Sequence, residues 1–439
     1  MAHARGMQVA MGFEFGVHPP EFFSLMEDGL YWQGTGTLIP DPTHYQAIQI
    51  LYATLDNIVQ TYPDIDWIWL WLNEHSFMGF DTRAALENAP FRKIYDESST
   101  LFEEDTRSVE QRVTGVWALH YIRLAYEYVK KIAPDKKIVM GGWGGSNQLP
   151  AILKGLDRGL PRDIVFTCLN PGLGTYPQPE FFREIARHRP FWGMPWLEGD
   201  NQLWHYQPRV TVIRDQVKLA ADMKMAGVVA IHWRTEETRL NFDCYSRFAQ
   251  DPADTTNVES IYRNNFKTYC GDAAAVDLTQ PFARFDREQW LSSTSSPEYY
   301  AYTPDWGRLD SAGRVNLGNL LRSIEQTETK TSGKVFVRNL EWYKANIECA
   351  LLLDQVGMNL EPAYRLRKDF IEGGLDASTE VERIRSAITG LEEAPLERLF
   401  TVYAGRIRSR GELGVLSSMN QKLYNEFQGL KSFVERIGR

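Results

Sequence analysis

Several features are absent from this 439-residue sequence, and each absence narrows what the chain can be. No basic run or stripe offsets the net charge of -9, which argues against a nucleic-acid partner. No apolar stretch is long enough to cross a bilayer; the best, Ile65 to Leu72, is only strand length, so no membrane partner is expected. The four cysteines (Cys168, Cys244, Cys270, Cys349) lie far apart without CxxC spacing, so neither a zinc site nor a disulfide framework is indicated. The histidines are not at metal-ligand spacing, and no metal or cofactor is expected. The one glycine-rich turn, Gly141-Gly142-Trp143-Gly144-Gly145, lacks the GxGxxG spacing of a dinucleotide site and carries a bulky tryptophan. Beyond Asp251 there is no histidine at all, and only three of the thirteen tryptophans lie there. Aromatic rings with polar edges suit half-apolar, half-wet sites, so the chemistry is sought in the first half.

What is present there is alternation. Six short apolar segments rise from polar surroundings: Met7–Phe15, Asp66–Leu72, Lys137–Gly142, Asp163–Leu169, Phe191–Leu197 and Gly227–Trp233. They read as strands buried on both faces. Helical patterns lie between them at His44–Thr61, Val109–Ile132, Gln148–Gly159, Glu180–Arg187 and Pro208–Ala226. Alternation of this kind implies parallel strands with right-handed crossovers. Polar residues recur just past the strands, at Glu14, Asn73-Glu74, Asn170, Glu198 and Arg234. Functional groups at the carboxyl ends of several strands are the barrel arrangement. The expectation is therefore a (β/α)8 TIM-type barrel over 1–250 that lacks its first two βα units in this chain. A connecting helix (Asn257–Tyr269) and an irregular aromatic-rich stretch (Thr279–Asp310) are expected over 251–310. An all-α domain is expected over 311–439, with helices at Arg314–Gln326, Lys334–Val356, Pro362–Glu372, Ser378–Leu391, Pro395–Gly405 and Glu412–Ile437.

Glycosidic bonds are usually cleaved by two carboxyl groups, one protonating the leaving oxygen and the other attacking the anomeric carbon or activating a water. Trp69-Leu70-Trp71-Leu72-Asn73-Glu74 ends one strand, and Met194-Pro195-Trp196-Leu197-Glu198-Gly199-Asp200 ends another three strands later. That offset is independent of what precedes the first strand. Asn-Glu after one strand and Glu three strands on resembles the clan A retaining glycoside hydrolases. The resemblance implies Glu74 as general acid/base after strand four, Glu198 as nucleophile after strand seven, and Asn73 as a donor to the sugar 2-hydroxyl. Trp233 matches the family's frequent aromatic after strand eight. His75 stands where the family usually has proline, and the helical half is more like that of α-glucuronidases and some N-acetylhexosaminidase-like barrels. An inverting or substrate-assisted glycosidase of that kind is the alternative, and a non-catalytic carbohydrate-binding barrel is another. A carbohydrate substrate and a secreted or periplasmic location are the expectations.

The remaining candidates for substrate binding are Glu14, Trp143, Asn170, Asp200, Trp204, His205, Trp233 and Arg234. Asp200 could replace Glu198. Trp143, Trp196, Trp204 and Trp233 could stack on sugar faces or fill core. Arg234 could clamp a carboxylate bidentately or pair with Glu236 or Glu237. The long segment His75–Ser108 could shape a cleft with Phe77, Phe80, Phe91 and Tyr95, or pack as a small subdomain.

Overall fold

The computed structural model describes residues 2–16, 30–33, 38–72, 81–176, 178–234, 236–291, 301–373 and 380–438. The chain forms two compact units, Met1–Pro195 with Gln216–Val229, and Trp196–Asp215 with Ala230–Arg439. The division falls inside the segment read as one barrel domain, 1–250, rather than at 250 or 310. The reason is visible in the residues after the seventh strand: Trp204 is a core residue of the helical unit, clustered with Tyr302, Trp306 and Leu353.

The first unit contains β1 (Ala10–Phe15), β2 (Tyr31–Gln33), β3 (Leu38–Pro40), α1 (Tyr45–Thr61), β4 (Trp67–Leu72), α2 (Thr82–Glu87) and α3 (Ala89–Ser98). It continues with α4 (Val109–Ile132), β5 (Lys137–Gly142), α5 (Leu149–Gly159), β6 (Val165–Leu169), α6 (Phe181–Ala186) and β7 (Phe191–Met194). The second half of α7 (Val210–Asp222) and β8 (Gly227–Val228) complete it. Strands β1, β4, β5, β6, β7 and β8 form one parallel sheet in that order, and β2 with β3 forms a separate antiparallel pair.

The six expected strands are thus the six of the sheet, with shorter ends in all but Lys137–Gly142. β7 stops at Met194 because Pro195 has no N–H to offer a ladder. β8 is two residues long, and Ile231 adds only a single bridge to Trp196. Among the described residues β1 and β8 each have one neighbouring strand, so these strands make an open sheet. β6 is buried throughout, as its apolar composition implies, whereas Ala10, Gly12 and Glu14 of the edge strand β1 are exposed.

Helix α1 turns Ala47, Leu51, Leu55 and Ile58 inward, and Ser108 starts α4 by accepting from the Gln111 N–H at 3.1 Å. The segment read as a long loop after Glu74 contains α2 and α3. Each is too short for a clear period, and each is started by a capping side chain, Asp81 and Asn88. Its described aromatics, Phe91, Tyr95 and Phe102, are packed in the core. Phe91 and Phe102 are fully buried, and a methyl group on Gly115 or Gly155 would come within 2.6 or 2.1 Å of the Phe102 ring. Phe77 and Phe80 lie outside the described residues.

The second unit is helical: α8 (Arg239–Gln250), α9 (Val258–Cys270), α10 (Asp272–Asp277), α11 (Thr279–Glu288), α12 (Ser311–Lys330) and α13 (Lys334–Ile371). Then follow α14 (Val381–Glu393), α15 (Leu396–Arg406), α16 (Arg410–Met419) and α17 (Asn425–Ile437). Two expectations are corrected here. The stretch from Thr279 opens with α11, because Phe282 and Phe285 sit one turn apart on its buried face. The helices expected at Lys334–Val356 and Pro362–Glu372 are one helix with Pro362 inside it. Leu353, Val356, Leu360, Ala363 and Leu366 form an unbroken buried stripe across the proline. Burying five such side chains outweighs the roughly 3 kcal/mol that an internal proline costs. No described helix is long and apolar enough to cross a membrane.

Candidate active site

In the first unit the sheet sets Glu14 next to last in β1, Trp143 directly after β5 and Asn170 directly after β6. Glu14 is exposed, Trp143 is half-buried and bridges to Leu169, and Asn170 is buried with its amide donating to the Tyr176 carbonyl at 2.8 Å. The glycines around Trp143 serve packing. A methyl group on Gly144 would lie 1.8 Å from the Leu169 carbonyl oxygen, and one on Gly141 would lie 2.8 Å from Thr167. Asn73, Glu74 and His75 follow β4 in the chain and lie outside the described residues.

In the second unit Glu198 has no exposed surface. Its Oε1 accepts from the backbone N–H of Trp233 at 2.8 Å and from that of Arg234; its Oε2 accepts from Arg234 Nε at 2.7 Å. Arg234 is also buried, and its other nitrogens donate to the carbonyls of Leu203 (2.7 Å) and His205 (3.1 Å). Burial alone would lower the Arg234 pKa, but Glu198, Tyr403 and Glu237 together more than offset this and the net shift is upward. The ion-pair partner of Arg234 is thus Glu198, which the sequence did not suggest, rather than Glu236 or Glu237.

The loop carrying Glu198 is strapped from several sides. Gln207 accepts from the Gly199 N–H at 2.6 Å and donates to the Gly199 carbonyl at 2.9 Å. Asn241 donates to the carbonyls of Leu197 (2.7 Å) and Gln207 (2.8 Å). Asp200 is buried. Trp233 stacks on the buried Trp196 at 5.8 Å and 23° and keeps 41% of its surface exposed. Trp204 has no exposed surface and lies among Tyr302, Trp306 and Ser418, which makes it a core residue. His205 is buried flat against Trp306, and burial together with Arg406 and Arg234 pushes its pKa down to about 3. An imidazole kept neutral across the physiological range is no proton carrier there.

Residues that the sequence reading did not single out complete this surround. Gln207 and Asn241 are polar residues whose burial no local pattern announces. Asp286 is buried on α11, accepts from the Thr211 N–H at 3.0 Å and from Tyr262 at 3.1 Å, and has its pKa raised by burial to about 6. Burial holds the Arg209 guanidinium down to about 10 in spite of Asp286 and Glu198. Among the described residues no group of three His, Cys, Asp or Glu is gathered so as to hold a metal ion.

No protein-family model matches the chain, and no curated protein matches it in sequence. Among solved structures it is similar to a family GH115 4-O-methyl-α-glucuronidase with specificity for decorated arabinogalactans. That likeness has a TM-score of 0.48 and 12% identity, over 80% of this chain and 44% of that one. The chain thus spans less than half the length of that relative. It is also similar to a mutant O-GlcNAc hydrolase of Thermobaculum terrenum, with a TM-score of 0.42 and 12% identity over 97% of this chain and 82% of that one. Likenesses this distant carry no argument about the site.

Proposed function

We propose that the chain belongs to a glycoside hydrolase whose six parallel strands are strands three to eight of a (β/α)8 barrel. Glu74 is its general acid/base and Glu198 its second carboxylate. The observation that supports this reading is the strand order: β4, β5, β6 and β7 are successive neighbours, so the segments that follow β4 and β7 leave the sheet three strands apart. In an eight-stranded barrel that is nearly opposite. In a retaining reaction Glu74 gives its proton to the glycosidic oxygen as the bond to the anomeric carbon breaks and a Glu198 oxygen bonds to that carbon. A water that loses its proton to Glu74 then displaces Glu198. Asn73 and Trp233 hold the sugar beside them.

A second reading, an inverting or substrate-assisted hydrolase, is favoured by the state of Glu198. Both its oxygens already accept protein donors and none of its surface is exposed. In that reading Glu198 shapes the strand end and does not touch the anomeric carbon.

Hydrolysis of a panel of aryl glycosides tests both readings. Glu74→Gln should lose about 10²–10⁴ in kcat, least with the best leaving groups; full activity would overturn the acid/base role. Azide rescue of Glu198→Gly with an inverted glycosyl azide product marks the retaining reading. Product of inverted configuration from the wild type marks the inverting form of the second; retained product confined to substrates that carry their own nucleophilic group, without azide rescue of Glu198→Gly, marks the substrate-assisted form.

A further inference from the structure

Tyr176, on the loop that leaves β6 in the first unit, keeps 61% of its surface exposed and is not among the residues that pack against that unit's core. A lone exposed ring is ordinary on a protein surface. This one sits on a loop that is tied down. Buried Asn170 donates its amide to the Tyr176 carbonyl at 2.8 Å, and Gln216 on α7 donates to that of Gly174 at 2.7 Å. The Thr175 hydroxyl donates to the Gly172 carbonyl at 2.6 Å. Gly172 and Gly174 take φ of 59° and 85°, where a side chain is strained. A methyl group on Gly172 would come within 2.2 Å of the Tyr176 ring, so one side of the ring lies on bare backbone. A ring held in this way loses little freedom when a ligand settles on it.

The place of the loop and its chemistry say what settles there. It stands beyond the carboxyl ends of parallel strands, where α/β sheets bind their ligands. Trp143 leaves β5 at the same rim, and the two turns are locked together. A methyl group on Gly144 would lie 1.8 Å from the Leu169 carbonyl oxygen and 3.1 Å from Pro171. The run from Pro171 to Pro179 contains no charged residue. A nucleobase would stack on such a ring, but its phosphates need basic neighbours, and this loop offers none. An open phenol ring on an uncharged loop suits a neutral molecule with an apolar C–H face and polar edges, as a sugar ring has.

We infer that Tyr176 is the platform of a second sugar position, and that the substrate of the proposed hydrolase is an oligosaccharide of two or more units. Because β4, β5 and β6 are successive neighbours, the carboxyl ends of β4 and β6 stand roughly 10 Å apart. One sugar ring does not span that gap, so a sugar held after β4 reaches Tyr176 only through a further unit. The substrate class rests on the catalytic reading, which fixes where the cleaved bond lies; the stacking position itself does not.

Calorimetric titration of the whole chain with cellotriose, xylotriose, galactotriose and chitotriose, each beside its monosaccharide, tests it. At least one trisaccharide should bind about tenfold or more tightly than its monosaccharide. Tyr176→Ala should remove that advantage, and Tyr176→Phe, which keeps the ring, should retain it. Three results overturn the inference: no trisaccharide that outbinds its monosaccharide, an advantage that survives Tyr176→Ala, or a Tyr176→Phe as weak as Tyr176→Ala. Turnover of aryl glycosides of the same sugars is read separately. Binding that depends on Tyr176, with no aryl glycoside cleaved, would keep the sugar position and sink the catalytic reading. Cleavage whose preference for longer chains is untouched by Tyr176→Ala would do the reverse.

Discussion

Arg234 grips Glu198 twice, with its backbone N–H on Oε1 and its Nε on Oε2, while both residues are removed from solvent. Removing one member of a buried pair leaves a lone charge, which typically costs about 3–5 kcal/mol. Arg234→Met additionally strips donors from the Leu203 and His205 carbonyls. Arg234→Met and Glu198→Met should each destabilise the chain by about that amount in urea unfolding. The double variant should cost clearly less than the sum, because no uncompensated charge is left behind. Additive losses would mean that the pair is not a unit.

Asp286 gives a pH dependence whose sign is fixed by its environment. Its folded pKa is about 6 against an ordinary value of 3.8. Between about pH 4 and 6 the folded chain holds the proton more often than the unfolded chain, so this group's contribution to stability declines as pH rises through that window. Asp286→Asn should remove the decline, which amounts to about 3 kcal/mol at most. His205 acts in the opposite sense. Its folded pKa of about 3 lies below the usual 6.5, so stability falls as pH drops from about 6.5. Urea midpoints measured between about pH 4 and 8 should therefore slope more steeply upward with pH in Asp286→Asn, and less steeply in His205→Phe, than in the wild type. A parallel set of three curves would refute both assignments.

The sequence discloses the strands because a strand buried on both faces needs a mainly apolar run, as in Val165–Leu169; Trp67–Leu72 is as apolar but fully buries only Ile68, Leu70 and Leu72, its tryptophan face being half-buried. It discloses α4 for a related reason: Ser108 caps it and Pro134 follows it. It hides the role of Pro362, since a stripe from Leu353 to Leu366 overrides a local signal only after the neighbouring helices are in place. The candidate site is legible as strand-end positions and illegible as contacts. Nothing near Glu198 in the chain foretells that a residue 36 positions away would take both of its oxygens, or that Trp204 would serve the helical core.

Two glycines should respond in opposite directions. Gly144 passes so close to the Leu169 carbonyl that an added methyl group has no room, and the obstacle is backbone. Gly144→Ala should cost about 3 kcal/mol or more, or shift the turn that carries Trp143. Gly414 lies inside α16 with nothing within 4 Å of an added methyl group. Gly414→Ala should stabilise by about 0.5–1 kcal/mol, since alanine loses less backbone freedom in a helix. Thermal unfolding of the two variants beside the wild type checks both signs, and a stable Gly144→Ala would show that the turn is not tightly held.

Trp233 separates scaffold from substrate contact. Its backbone N–H reaches Glu198 and survives any side-chain change, whereas its ring, 41% exposed, rests on Trp196. Losing that stack should cost no more than about 1.5 kcal/mol of stability. If the proposed hydrolase uses the open face of the ring to hold a sugar, Trp233→Ala should raise KM by about tenfold while kcat changes little, the pattern of lost uniform binding. Steady-state kinetics on aryl glycosides, with urea unfolding as the control, reads the two effects apart. An unchanged KM in a folded variant would leave Trp233 as a cover for Trp196 and remove it from the site.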